Sequence, residues 1–278
     1  MNILHSSKLA LALGLALSAQ LDLHAADHGH LNAGALGVKQ NDKLVFENAA
    51  DFAATSGYLK TLTYTNGATY AGYYQANITF TALAQTAVHA GPVPNAPAPG
   101  SFIQAQLVSV EGPAGGAFGF WEAGATHPTF SLLSGQIGTS MWRLTESDGS
   151  AGSDPYGHIH GRRFTLSKPG IYRVGFKLFD TSSNGTGGAP IHAPSEVLAV
   201  FFQAGVNIKS VEPDVEHSHV RFSAPAGATW QLEATDALGP QAKWANVGSP
   251  VPGDDYFHEV EDERPVVGQR FYRIRAVP

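Results

Sequence analysis

The chain has 278 residues, a net charge of −6 and no cysteine. This length is enough for one large β domain, or for one domain with a small second one. A mildly acidic protein without a basic cluster is a poor candidate for binding nucleic acid or an anionic membrane. The absence of thiols excludes cysteine nucleophiles and cysteine-ligated zinc, so any metal site must use histidine with carboxylates or water.

The N-terminus has the pattern of a signal peptide. Lys8 precedes an apolar run at residues 9–17, which is too short to span a bilayer as a helix. Small residues favour cleavage near Ala25, and we assign residues 1–25 to the signal peptide. No later stretch predicts a transmembrane helix, and residues 271–278 do not have the pattern of an anchoring tail. The mature chain is therefore expected to be secreted, periplasmic or held at the cell surface.

From residue 43 onward, short alternating segments are separated by turns rich in Gly and Pro. No amphipathic helix is credible, which favours an all-β fold with a β-sandwich (Ig-like or jelly-roll-like) domain at residues 26–205. Strands of this domain are predicted at residues 44–46, 69–81, 101–110, 117–122, 139–145 and 196–203.

Residues 206–278 predict a smaller β-sandwich module. Its strands are expected at residues 206–211, 219–222, 229–233, 244–247, 256–260 and 270–275. The module carries an acidic run at residues 254–263, which we interpret as a solvated loop face because the EF-hand spacing is absent.

The central motif of the chain is a pair of histidines, His158 and His160. In a strand, residues i and i+2 point to the same face, so both imidazoles are expected to face one way. A turn at residues 169–170 then leads to the alternating segment 172–176, and residues 154–176 therefore predict a β-hairpin. Two imidazoles on one face make half of a tetrahedral metal site. The alternative is a surface pair that only hydrogen-bonds nearby loops.

A second pair, His28 and His30, lies near the start of the mature chain. The first residues of a domain are often disordered and solvated, which is one interpretation of this pair. The other is that the segment docks as an edge strand and brings two more imidazoles to the first pair. A site built from both pairs would be a cluster of four nitrogens, which zinc or copper would accept.

Other side chains are weaker candidates for the same site. Glu122, Asp154 and His127 are candidates for a further ligand or for a group that orients an imidazole. His192 follows the central motif in a loop that is able to fold back over the site. A third pair at residues 217–219 is interpreted as exposed, because it lies in the other module and Arg221 shares its strand face.

With these residues in view, the first domain resembles a family of exported bacterial proteins, the surface-anchored repeat (choice-of-anchor M) domains and the related zinc-repressor-controlled PEP-CTERM proteins. The matching elements occur in the same order and cover residues 26–205; they are residues 28–30, 110–113 with 119–122, and 157–160 with 164–174. The resemblance implies handling of zinc outside the cytoplasm. The chain departs from the family in lacking an anchoring tail and in having two cations, Arg162 and Arg163, beside the central pair. Unless they point away, these cations would weaken binding of a dication.

The C-terminal segment is similar to small β modules that end many secreted bacterial proteins, which suggests an accessory or attachment role.

The functional hypothesis is a secreted protein that captures or buffers a divalent transition metal, zinc or else copper, without turnover. Its partners would be the ion and a metal-uptake transporter or cell-surface component. The competing hypothesis is an adhesion or carbohydrate-binding protein in which Trp121, Tyr70, Tyr73 and Tyr74 stack on sugars. A third is a metallohydrolase or copper oxidase, although no hydrolase signature occurs in the sequence.

Overall fold

The computed structural model describes residues 29–56, 58–84, 94–214, 216–240, 242–254, 256–264 and 268–277. These residues form nineteen strands, one α-helix of four residues and three short 3-10 turns. The expected all-β class is confirmed. Within the described ranges, no helix has both the length and the apolar character needed to cross a membrane.

The first module, residues 30–204, holds the first thirteen strands. They are β1 His30–Ala35, β2 Leu44–Phe46, β3 Lys60–Thr65, β4 Tyr73–Ala76, β5 Thr79–Ala82, β6 Ile103–Glu111, β7 Ala117–Trp121, β8 Phe130–Leu133, β9 Met141–Arg143, β10 Gly157–His158, β11 Arg163–Leu166, β12 Gly170–Asp180 and β13 Leu198–Ala204. The helix α1 is Ala49–Phe52, and the 3-10 turns are Ala54–Ser56, Ala68–Tyr70 and Thr186–Gly188.

Two sheets make up this module. One has four strands in the order β10-β5-β1-β2, and the other has nine in the order β8-β7-β11-β4-β3-β13-β12-β6-β9. β1 runs parallel to β5 and β13 runs parallel to β3, whereas the other pairs are antiparallel. β1 is an inner strand rather than the edge strand expected from the sequence, because β2 pairs with its far side.

An aromatic cluster joins the two sheets. Phe80 of β5 is 5% exposed and its ring lies 5.2 Å from that of Phe176, 5.3 Å from that of Trp142 and 5.9 Å from that of Phe164. Aromatic pairs at these separations add to the free energy gained by burying their apolar area. The sheets therefore pack face to face as a β-sandwich.

The segment 69–81, expected as one long strand, is instead divided between the two sheets. Gly72 has a φ of 85° and turns the chain into β4, which joins the nine-stranded sheet. After residues 77–78 the chain continues as β5 in the four-stranded sheet. The alternating pattern is present in both halves, but the corner between them carries no strong turn signal of its own.

The predicted hairpin at residues 154–176 is wrong. β10 pairs with β5, β11 pairs with β4 and β7, and β12 pairs with β6 and β13. Tyr172, Val174 and Phe176 of β12 are completely buried. Such a strand needs long neighbours on both sides, and the four residues of β11 are too few to provide one.

The second module, residues 207–277, holds the remaining six strands, each within a few residues of its expected position. They are β14 Asn207–Pro213, β15 Ser218–Ala224, β16 Thr229–Thr235, β17 Ala245–Pro252, β18 Tyr256–Asp262 and β19 Phe271–Val277. They form two sheets of three strands, β14-β15-β18 and β17-β16-β19, around a core that includes Phe222, Trp230 and Ile274.

A buried glutamine ties the modules together. The side chain of Gln203 in β13 donates from Nε2 to the Ile274 carbonyl at 2.5 Å, and its Oε1 accepts from the Ala276 N–H at 3.1 Å. Gln203 is completely buried, so both hydrogen bonds are withdrawn from water. They satisfy backbone groups on the free edge of β19.

Replacing Phe80 by alanine is expected to destabilise the first module by about 3–5 kcal/mol, because the substitution opens a cavity between the two sheets. The change is measurable as a loss in the free energy of unfolding by urea denaturation. Leu36→Ala is the matched control, since Leu36 is 68% exposed and should change this value by less than about 0.5 kcal/mol. Equal losses in the two variants would contradict the assignment of Phe80 to the core.

Candidate metal centre

Three histidines from two distant parts of the chain meet on the outer face of the four-stranded sheet. The ring centroids of His30 and His158 lie 4.7 Å apart, and those of His158 and His160 lie 4.3 Å apart. β5 lies between the strands that carry them, with His30 opposite Thr79 and His158 opposite Thr81. We call these three residues the imidazole cluster.

The strand period explains why the cluster faces outward. Leu31 and Phe80, which are partners in the β1–β5 pairing, point into the core, so His30 and Thr81 point the other way. Nδ1 of His30 lies 3.4 Å from the Thr81 hydroxyl. Of the central pair, only His158 belongs to a strand; His160 follows it in the loop before β11, yet the two rings lie side by side.

Backbone contacts hold the two histidine segments in place. The N–H of His158 donates to a carboxylate oxygen of Glu146 at 2.7 Å, and the side-chain amide of Asn48 donates to the carbonyl of His30 at 2.8 Å. Gly157 lies against the Leu144 carbonyl oxygen, with which a Cβ would collide. The glycine that precedes His158 is therefore required by this close approach.

Glu122 binds an arginine. Its two carboxylate oxygens accept hydrogen bonds from Arg162, at 2.6 Å from Nε and 3.1 Å from Nη2. Burial acts to raise the pKa of Glu122, but hydrogen bonds from Arg162 and from the Ala123 N–H outweigh it, so the pKa is lowered. The pair keeps Glu122 ionised and neutralises Arg162, one of the two cations expected to weaken binding of a dication.

His192 is held by backbone groups. It is 3% exposed; its Nε2 accepts from the Ala98 N–H at 2.9 Å and its Nδ1 lies 3.0 Å from the Asp42 carbonyl. These contacts fix the tautomer with the hydrogen on Nδ1 and use both ring nitrogens. The backbone N–H of His192 donates to the carboxylate of Asp180, which is also buried. We therefore leave His192 out of the proposed site.

The other candidates have local roles or lie elsewhere. Asp154 accepts from the N–H of Tyr156 within its own turn, and His127 is exposed with its Nδ1 3.3 Å from the Thr126 hydroxyl. His28 lies outside the described residues, so its part in the cluster stays a prediction. Trp121 is 1% exposed and donates to Thr165, which leaves no face of its ring open to a sugar.

The third histidine pair has a neighbour that the sequence analysis overlooked. Among the residues that the structure describes, Asp214, His217 and His219 place three ligand atoms within 4.8 Å of one another. Asp214 follows β14, three positions before His217, so a turn carboxylate beside a histidine pair was the local signal available in the sequence. Glu259 and Glu261 of β18 lie against the same histidines.

No protein-family model matches the chain, and no curated protein is significantly similar to it in sequence.

Replacing His192 by alanine is expected to cost about 2–4 kcal/mol of stability, because the Ala98 N–H and the Asp42 carbonyl lose their buried partner. Zinc content is expected to stay unchanged. Urea denaturation and mass spectrometry of bound metal check the two statements, with exposed His127→Ala as the control. A folded His192→Ala variant with less bound zinc would return His192 to the ligand set.

Proposed function

We propose that the chain binds a divalent transition metal through the imidazole cluster, with zinc as the expected ion and copper as the alternative. The observation that carries this proposal is the meeting of His30 with His158 and His160 across β5. Core packing fixes the register of these strands, but it does not require imidazoles at positions 30 and 158, which lie on the side of the sheet away from Phe80. Three imidazoles are the protein ligands of a known type of zinc site, in which the fourth position takes a further ligand.

The surroundings of the cluster support a cation. When neutral, each of the three imidazoles has a ring nitrogen whose lone pair can ligate a metal. Glu122 also neutralises the charge of Arg162. His30 is exposed, whereas the Nε2 atom of His158 is buried, so the cluster opens to solvent on one side. From its spacing alone, His28 is the fourth ligand in this proposal.

The proposed role is capture or buffering of the ion outside the cytoplasm. The signal-peptide pattern and the resemblance to exported zinc-associated proteins support this location and this metal. A transporter or a cell-surface component would then receive the ion from the cluster. Because one ligand comes from the first strand of the mature chain, loss of that strand would release the ion.

The test compares zinc bound by the mature chain, purified without a histidine tag, with zinc bound by the variant His158→Ala/His160→Ala. After equilibrium dialysis against zinc, the variant is expected to hold about one ion less per chain, because too few imidazoles remain to bind it. Mass spectrometry gives the metal content. His30→Ala is expected to weaken binding at the same site.

His127→Ala is the control, since it removes an exposed histidine outside the cluster. If wild type and the double variant bind equal amounts of zinc and of copper, with unchanged circular dichroism, the proposal is wrong. Glycan binding that survives the double change would then favour the adhesion hypothesis.

A further inference from the structure

A second group of ligand atoms lies in the turn between β14 and β15. Asp214 closes this turn: its N–H donates to the His217 carbonyl at 2.9 Å, and its Oδ1 accepts from the N–H groups of Glu216 and His217. One carboxylate oxygen is therefore used to hold the turn. The other, Oδ2, points at Nε2 of His217 from 2.8 Å.

The two imidazoles of this turn face each other through the same kind of atom. Nε2 of His217 and Nε2 of His219 are 3.1 Å apart. A single Nε2 carries either one hydrogen or one lone pair, so Nε2 of His217 cannot make a favourable contact with both the Asp214 carboxylate and Nε2 of His219. A hydrogen given to Asp214 blocks the approach of His219, and a lone pair repels the carboxylate. A cation between the three atoms satisfies all of them.

The separations suit a small metal ion. Ligand atoms at the zinc distances of a tetrahedral site lie about 3.3 Å from one another. The contacts of 2.8 and 3.1 Å are slightly shorter, and a small outward rotation of the side chains would admit an ion. Two imidazoles with one carboxylate form a set that suits zinc, copper(II) and nickel(II) better than calcium or magnesium.

The opposite sides of both rings face carboxylates of β18. Nδ1 of His219 lies 3.2 Å from Glu259, and Nδ1 of His217 lies 3.6 Å from Glu261. A histidine that ligates a metal through one nitrogen commonly donates the other N–H to a carboxylate, which fixes the tautomer and raises the basicity of the ligating nitrogen. Glu259 is close enough to accept such a hydrogen bond from His219, whereas Glu261 at 3.6 Å is a charged neighbour of His217.

The charge of this face also favours a cation. Glu212 of β14 lies opposite His219, on the side away from Glu261. Arg221, which shares the face, lies over the ring of Phe257 at 5.2 Å from its centroid. This cation–π contact gives the guanidinium a partner outside the turn.

We propose that the second module binds a divalent transition metal at Asp214, His217 and His219, with Glu259 orienting the His219 imidazole and Glu261 adding negative charge beside His217. The side chains of the three ligands are 44%, 27% and 37% exposed, so the ion has an open position towards solvent and exchanges with it. The site is separate from the imidazole cluster and rests on none of its residues.

Zinc titration by calorimetry tests the proposal in the full mature chain carrying His158→Ala/His160→Ala, which leaves only His30 of the imidazole cluster. About one zinc ion per chain is expected to remain bound, and adding His217→Ala/His219→Ala should abolish this binding. Asp214→Asn should weaken it, and Glu259→Gln should weaken it about ten- to hundredfold. Cobalt(II) at the same site should give the visible absorption of bound cobalt, which provides a second signal.

His258→Ala is the matched control, because His258 lies on β18 in an ordinary pair with Asp254 at 2.9 Å. The control should bind zinc as its parent does. The proposal is overturned if the parent variant, with intact circular dichroism, binds no zinc, or if changing the turn histidines leaves binding unchanged. Its failure is distinguishable from that of the imidazole cluster, since each pair of substitutions removes a different ion.

Discussion

The first module depends on a strand of four residues, Thr79–Ala82, that pairs with two histidine-bearing strands at once. One face of this strand places Phe80 in the aromatic cluster between the sheets. The alternation of a strand then turns Thr79 and Thr81 away from that core, and the same register brings His30 and His158 to their side of the sheet. A slip of one residue would bury the histidines and expose Phe80, so burial of an aromatic ring fixes the positions of the polar ones.

Local patterns predicted much of this architecture, and non-local pairing limited the rest. The six strands of the second module could be found from alternation and turn residues, which act over a few positions. The prediction of a hairpin at residues 154–176 was wrong because a Pro-Gly turn shows where the chain bends, but not which strands the segments on either side of it pair with. The prediction of one strand at residues 69–81 was wrong for a related reason. A chain that passes from one sheet to another keeps its alternating pattern, so the pattern does not show where the first strand ends.

The same distinction applies to the candidate sites. The spacing of His158 and His160 was enough to predict that their rings share a side, because that geometry is local. The pairing of Glu122 with Arg162 depends on β7 lying beside β11, which no spacing reveals. In the second module, Asp214 was within reach of sequence reasoning, whereas Glu259 and Glu261 come to the histidines only through the register of β15 with β18.

The two candidate sites also differ in the stage of folding at which their side chains come together. Residues 30 and 158 meet only after β5 has paired on both sides, and contacts between such distant residues form late. Asp214, His217 and His219 are close in sequence, from the end of β14 to the start of β15, and a loop of about ten residues closes in about 10–100 ns. The three proposed ligands of the turn site would therefore come together early, whereas Glu259 and Glu261 would join them only when β18 pairs with β15. An ion at the proposed imidazole cluster would bind only folded molecules and would therefore draw the folding equilibrium towards them.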